Sequence, residues 1–401
     1  MELKKYKLVE IAKIEISGVD KKIIDGELPV RLCNFVDVYY NWAITKEKAK
    51  SFMVASAKQT EIDKCSIAKG MVAITKDSET RDDIGIATYI ADDFENVLLG
   101  YHCALITPNP AIVDGKYLNA FMHTRYIQKY FENNASGSGQ RYTLSNDTIN
   151  NIPVLLPSME VQHTIGKLLA DLDRKIELNK QINDNLEAMA KQLYDYWFVQ
   201  FDFPNEEGKP YKSSGGAMVW NEKLKREIPK GWNFCFLENL LIIRNGRDHK
   251  HLADGIYPVY GSGGEMRKVS EYLYDGESVL MPRKGSLNNI MYVNEAFWTV
   301  DTMFYSEMKQ SNCAKYIFYT IKDIDFTRWD SGTGVPSMTS STLYSIKLVK
   351  PQSEILKKFD EVISPLFEHM KHISEQNSFL TKQRDKLLPL LMNGQASVNS
   401  D

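Results

Sequence analysis

Three loops place basic and amide side chains beside glycines, a combination suited to hydrogen bonding with nucleic acid. The loops lie at residues 133–142, 282–289 and 328–334. Arginine, asparagine and glutamine can bond two atoms of one base edge, and lysine pairs with phosphate. A solvated turn is the alternative for each loop taken alone. With Tyr260 and Ser262 of a glycine-rich turn, the candidate DNA-contacting residues are Gln140, Arg141, Tyr142, Arg283, Lys284, Asn288, Arg328 and Thr333.

The sequence contains no recognisable catalytic centre. It lacks a Gly-x-x-x-x-Gly-Lys-Ser/Thr phosphate loop and the motifs of methyltransferases that use S-adenosylmethionine. Residues 207–209 after Asp202 faintly resemble a metal-nuclease motif, but prolines and glycines surround them. His369 and His372 share one helix face without further ligands in a matching pattern. We therefore predict no catalytic residue, no bound metal and no cofactor of the chain's own.

Composition sets broader bounds on the class of protein. The chain has 401 residues, 43% hydrophobic and 25% charged, which is ordinary for a globular protein of two or three domains. Its net charge of −3 argues mildly against a free-standing nucleic-acid binder. Five cysteines are scattered singly, so we expect free thiols in a reducing cytoplasm. We also expect no signal peptide, and no stretch reaches the roughly 20 apolar residues of a membrane span.

Two long helical patterns must position the loops. They cover residues 157–203 and 351–395, and the first predicts a rod of roughly 60 Å. Apolar residues recur at alternating steps of three and four, which predicts a heptad seam on each helix. Asn179 and Asn377 interrupt the seams and are either buried to set register or simply exposed. The seam residues expected to set spacing and assembly are Leu172, Ile182, Leu186, Leu193, Leu366, Ile373, Leu380 and Leu387.

The two helical patterns belong to a tandem duplication, which outranks local motifs in assigning a fold. A constant offset of 194 residues pairs Pro157 with Pro351 and Leu186 with Leu380. Short strand-like segments between turns predict irregular, mostly antiparallel sheets with helices, one of them at residues 117–131. We expect an α+β chain with domains at 1–156 and 232–350, long helices at 157–203 and 351–395, a linker at 204–231 and a tail at 396–401.

These features resemble the specificity subunit of type I restriction–modification enzymes. The likeness covers the whole chain, and the duplication is its strongest element. At the entry of the second helix the chain departs from the family pattern, because Leu356 stands where a glutamine is expected. The motifs that carry the likeness are residues 156–162, 197–204, 208–216, 228–232, 258–264 and 283–286.

The resemblance implies two α/β target-recognition domains, each reading half of a bipartite site in double-stranded DNA. It implies that the two long helices pack as an antiparallel coiled coil and act as a ruler between the half-sites. It further implies two methyltransferase subunits that bring S-adenosylmethionine, joined by restriction subunits with ATP-driven translocation, while the chain itself performs no chemistry. Two alternatives stay open: a coiled-coil scaffold holding two domains that bind ligands other than DNA, and an enzyme with an unrecognised site.

Overall fold

The computed structural model describes residues 2–329 and 336–397. The chain divides into two compact units, and each unit contains one globular domain with parts of both long helices. Unit 1 comprises Met1–Gln181 and Ile373–Asp401, and unit 2 comprises Ile182–His372. A search of the described helices finds none with the length and apolar character of a membrane span.

Unit 1 is built on a five-stranded sheet that is antiparallel except at one edge. Buried alanine, valine and isoleucine side chains fill its inner strands, so the sheet forms the centre of the domain. In spatial order its strands are Ala12–Ile16, Cys103–Pro108, Val72–Thr75, Ala87–Ile90 and Ala43–Ile44, of which the last pair is parallel. Two three-stranded sheets accompany it: Met53–Ala57 with Leu28–Cys33 and Val97–Leu99, and Ser136–Ser138 with Arg141–Thr143 and Asp77–Ser78.

Apart from the two long helices, the helices of unit 1 are short, and one prediction about them is wrong. The sequence pattern predicts a single helix over residues 117–131, but the structure has Gly115–Met122 followed by Arg125–Asn134. The break occurs because the buried Thr124 side chain accepts a hydrogen bond from the backbone N–H of Ile127 and caps a new helix. The remaining helices of the domain are Leu8–Ile11, Phe35–Tyr39, Lys46–Ala49, Gln59–Cys65 and Asn146–Asn150.

Unit 2 contains a six-stranded sheet. Its strands, in spatial order, are Leu241–Asn245, Met303–Met308, Tyr274–Pro282, Met291–Thr299, Asp254–Gly261 and Gly264–Val269. The α-helices Ala314–Lys322 and Ser340–Tyr344 and the 3₁₀ turns Leu237–Asn239 and Phe326–Trp329 complete the domain. Within the predicted linker, at residues 204–231, the chain forms an antiparallel hairpin of Met218–Asn221 and Arg226–Pro229.

The tandem duplication is confirmed by equivalent strand pairs in the two units. In unit 1, Lys4–Lys7 pairs antiparallel with Pro153–Leu156, and in unit 2, Asn233–Phe236 pairs antiparallel with Lys347–Lys350. Each pair brings the start of a domain beside the strand that leads into a long helix. The next residue repeats as well. Leu8 donates its N–H to the Ile152 carbonyl at 3.0 Å, and Leu237 donates to the Ile346 carbonyl at 2.9 Å.

The two long helices run antiparallel, as the contacts within each unit show. They are Met159–Tyr194, which continues as a π-helical turn to Val199, and Ser353–Met392. In unit 1, Asn179 Nδ2 donates to Asn377 Oδ1 at 2.8 Å. In unit 2, Asn183 Nδ2 donates to the Met370 carbonyl at 3.3 Å. The asparagines therefore meet across the interface, and the α+β fold with antiparallel helices is confirmed.

The predicted seam of the first helix needs a correction at Ile182. That side chain is 41% exposed, whereas the neighbouring Asn183 lies half-buried at the helix interface. The predicted and the observed heptad patterns agree on one column of seam residues, which includes the half-buried Leu172, Leu186 and Leu193. They differ by one residue in the position of the other column. The second column runs through Ile176, Asn183, Ala190 and Trp197. On the second helix Leu366, Ile373, Leu380 and Leu387 all lie at least half-buried.

The entries of the two helices are fixed by different chemistry. Gln162 is 1% exposed; its amide donates to the carbonyls of Pro157 and Ile112, and its oxygen accepts from the N–H of Asp114. Leu356, at the equivalent position of the second helix, is fully buried in the apolar core of unit 2. A buried amide with satisfied hydrogen bonds and a buried leucine both anchor a helix to its domain. The departure from the family pattern at Leu356 is therefore accommodated by packing.

Candidate nucleic-acid interface

The first candidate loop is a β-hairpin that projects two polar side chains. Ser136–Ser138 pairs with Arg141–Thr143, and Gly137 and Gly139 have φ of +131° and +75°. A side chain at position 137 would have its Cβ 2.2 Å from the Arg141 carbonyl, so this turn requires glycine. Gln140 and Arg141 are both exposed at the tip. They are placed where a nucleic acid could reach them.

Tyr142 differs from its two neighbours because it packs inward. Its ring is half-buried, and the guanidinium carbon of Arg81 lies 5.2 Å from the ring centroid. Tyr142 therefore supports the hairpin and positions Arg81, which is itself exposed. Arg81 was missed in the sequence because no glycine loop or repeat marks it.

The hairpin forms one wall of an open cleft in unit 1, here called the unit 1 cleft. The other walls are the helix Phe35–Tyr39 and the segment 77–83. The Tyr39 ring stacks on Phe35 with centroids 5.8 Å apart, and its hydroxyl donates to Asp83 at 2.7 Å. This hydrogen bond raises the pKa of Tyr39 to about 12. Tyr40, the next residue, is 77% exposed and contributes an unshielded aromatic face.

In unit 2, three chain segments that are distant in sequence converge. The Asn289 amide donates to the Ser262 carbonyl at 2.8 Å, and Gly285 donates its N–H to the Pro336 carbonyl at 3.1 Å. A Cβ at Gly285 would lie 2.9 Å from the Ser262 hydroxyl. The turn at 261–264, the loop at 283–289 and the segment 336–338 therefore form one surface. Its exposed cations are Arg283 and Lys284.

The remaining candidates of unit 2 are used largely in the protein's own hydrogen bonds. The Asn288 amide donates to Asp325 at 3.2 Å and accepts from the Phe326 N–H at 2.8 Å. Arg328 pairs with the same Asp325 at 3.1 Å but stays 80% exposed as a side chain. The Tyr260 hydroxyl donates to Glu295 at 2.9 Å, and burial is the main cause that raises the pKa of Tyr260. Thr333 lies outside the described residues.

A further basic residue borders the surface of unit 2. Arg247 is exposed and donates its backbone N–H to the Thr299 carbonyl at 2.8 Å, while Arg283 donates its own to the Thr302 carbonyl at 2.8 Å. Residues 299 and 302 belong to one turn, so Arg247 and Arg283 lie at the same end of the sheet. The sequence signal for this loop is the basic run at residues 249–251, for which a solvated loop is the simpler interpretation.

The part of the chain that the structure describes contains no recognisable metal site. Among those residues no three histidine, cysteine or acidic side chains lie close enough together to hold an ion. His369 and His372 are both exposed on the second long helix.

The comparison with protein families decides the assignment. The model of the type I restriction modification DNA specificity domain matches twice, at residues 2–188 and at residues 229–376. The chain belongs to this family. Each match covers one globular domain and extends into the long helix that follows it.

Characterised members of the family match along most of the chain. The MjaIX specificity subunit of Methanocaldococcus jannaschii is 27% identical over 322 residues, which is 73% of this chain and 71% of that protein. The HindI specificity subunit of Haemophilus influenzae is 22% identical over 79% of this chain and 85% of that protein. Both are named as subunits of type I restriction enzymes. The alternative of a scaffold for ligands other than DNA is not supported.

A solved structure confirms the fold. The S subunit of a type I restriction–modification system from M. genitalium superposes with a TM-score of 0.62. The alignment covers all of this chain and 97% of the other at 15% sequence identity. The two chains therefore share their fold at low sequence identity.

Proposed function

We propose that this chain is the non-catalytic subunit that gives a type I restriction–modification complex its DNA sequence specificity. The observation that carries the proposal is the double family match, one for each domain of the duplication. Each domain would read one half of a bipartite site in double-stranded DNA. Two methyltransferase subunits would supply S-adenosylmethionine and the transfer chemistry, and restriction subunits would supply cleavage. The proposal places the complex in the cytoplasm, and the five buried free thiols support that.

The exposed side chains of the two surfaces are suited to two kinds of DNA contact, with bases and with phosphates. Arg141 and Gln140 in unit 1, and Arg283 in unit 2, can each bond two atoms of a base edge in the major groove. Lys284 is a point charge suited to phosphate. Because the net charge is −3, non-specific attraction to DNA is small and partner subunits would contribute phosphate contacts.

Arg141→Ala is expected to weaken recognition of one half-site, and Arg283→Ala that of the other. Loss of a bidentate base contact costs about 1–3 kcal/mol and relaxes specificity at that base. The measurement is binding of the reconstituted methyltransferase complex to duplexes substituted base by base. Arg226→Ala is the matched control, since Arg226 is also an exposed arginine but belongs to the linker hairpin and to none of the candidate loops. Unchanged binding in both variants would show that these loops do not face DNA.

An apolar stripe on the first long helix is suited to a partner subunit. Ile182, Met189 and Tyr196 recur every seven residues and are 41%, 54% and 37% exposed. They lie beside the seam that the helix shares with the second long helix, and their side chains stay exposed there. A second apolar column at heptad spacing is what a helix needs to pack against an additional helix. We propose that a helical segment of a methyltransferase subunit docks on this stripe.

Met189→Glu is expected to weaken assembly with the methyltransferase subunit while leaving the chain folded. Burying a carboxylate against an apolar partner without a counter-charge costs several kcal/mol, so affinity should fall by about 100-fold or more. The measurement is complex formation by titration calorimetry. The control is Ala188→Glu, because Ala188 is also exposed and lies about 100° away around the helix. Equal affinities for the two variants would place the docking surface elsewhere.

A further inference from the structure

The unit 1 cleft contains a residue with a strained backbone. His102 lies in the turn between the strands Val97–Leu99 and Cys103–Pro108 and has φ of +70°. Residues other than glycine adopt this left-handed conformation at a cost, and such residues concentrate at functional sites. The turn already contains Gly100, which would tolerate the strain better. The structure thus places an imidazole where a glycine would suit the backbone.

The His102 ring is held on two sides. Its Nδ1 pairs with a carboxylate oxygen of Asp77, and the Tyr101 ring meets it edge-on with centroids 3.8 Å apart. Burial favours the neutral Asp77 carboxyl, but hydrogen bonds from Thr143 and His102 outweigh it, so the pKa of Asp77 is lowered and the carboxylate stays charged. A carboxylate on Nδ1 fixes the orientation of an imidazole and leaves Nε2 as the group that can act outward.

The ring is accessible from the same cleft that holds the recognition hairpin. The His102 side chain is 35% exposed, whereas that of Asp77 is 13% exposed. His102, Gln140, Arg141 and Tyr40 all line the unit 1 cleft. The other titratable and charged groups that line the cleft or lie beside the ring and Asp77 are Tyr101, Lys76, Glu79, Asp83, Tyr39 and Arg141. A protonated imidazole between Asp77 and an anionic ligand would complete a chain of charge-assisted hydrogen bonds.

We propose that His102, aimed by Asp77, donates a hydrogen bond from Nε2 to an acceptor atom on the DNA of the first half-site. This rests on the proposed function and adds a contact residue to it. The acceptor is either a phosphate oxygen or the edge of a base, which present the same chemistry to an imidazolium.

The test uses the full chain reconstituted with its methyltransferase subunits and a duplex carrying its methylated motif. His102→Asn keeps a residue that tolerates the left-handed backbone. The control is His163→Asn, because His163 also pairs through Nδ1 with an aspartate, Asp114 at 3.0 Å, but lies on the first long helix. We expect His102→Asn to weaken binding about 10-fold and His163→Asn to leave it unchanged.

Base substitutions separate the two acceptors. With a base edge as acceptor, His102→Asn abolishes discrimination at one position of the first half-site, and with a phosphate it weakens binding to all duplexes equally. If His102→Asn does not fold, Asp77→Asn is the second variant, and it should also weaken binding because the ring loses the carboxylate that orients it. Wild-type binding by the folded variants would overturn the proposal. A wild-type complex without sequence-specific binding would contradict the proposed function instead.

Discussion

A seven-residue insertion after Leu186 is expected to lengthen the gap between the two half-sites without changing the bases that are read. One heptad adds roughly 10 Å of helix and keeps the seam in phase. Since one base pair occupies about 3.4 Å, the gap should grow by at most about three base pairs. The half-sites should stay the same because no recognition loop is altered. The measurement is the methylated motif in cells that carry the variant.

The second long helix needs a matching insertion, and the antiparallel contact shows where. Repeat equivalence pairs Leu186 with Leu380, but within unit 2 the residue opposite this part of the first helix is Met370, which accepts a hydrogen bond from Asn183. The paired insertion therefore belongs beside Met370. A two-residue insertion at Leu186 is the control, because it turns the following helix by about 200° and should disrupt assembly. A changed base specificity with an unchanged gap would show that the helices are not a ruler.

Purified alone, the chain is expected to transfer no methyl groups and to cut no DNA. Adding the methyltransferase subunits should create sequence-specific binding, typically at least about 10³-fold tighter than non-specific binding. The net charge of −3 gives the isolated chain little general attraction to phosphate. Binding by the complex should weaken steeply with salt, because each phosphate contact releases a counterion. Tight, salt-insensitive DNA binding by the isolated chain would contradict this division of labour.

Hydrophobic periodicity and the internal repeat predict most of the fold. The tandem duplication predicted equivalent positions in the two halves, and Leu8 and Leu237 indeed make the same backbone contact in their units. The helix frame was harder to predict, because Ile182 is apolar and Asn183 polar, yet Asn183 lies at the interface. Hydrophobicity favours the wrong column here because an exposed apolar stripe runs beside a seam in which amides meet. Side-chain capping at Thr124 likewise divides a helix that its apolar pattern predicts as continuous.

The site was predictable only in part, because local sequence does not show which polar groups are already satisfied. Arg141 is exposed at the tip of its hairpin as a reader of DNA would be. Asn288 is equally suited to base contacts by residue type, but its side chain accepts a hydrogen bond from the Phe326 N–H of its own domain. No sequence pattern marks His102, since its placement in the cleft depends on a positive φ and on Asp77, 25 residues away.

The decisive measurement is a map of methylated bases across the genome of a host that carries this chain with its methyltransferase subunits. We expect methylation at one bipartite motif, two short defined half-sites separated by a gap of fixed length and unspecified bases. Replacing residues 1–156 with the corresponding domain of a family member should change one half-site only. Methylation at a continuous motif, or a motif that does not change with the chain, would contradict the claim that this protein reads the DNA.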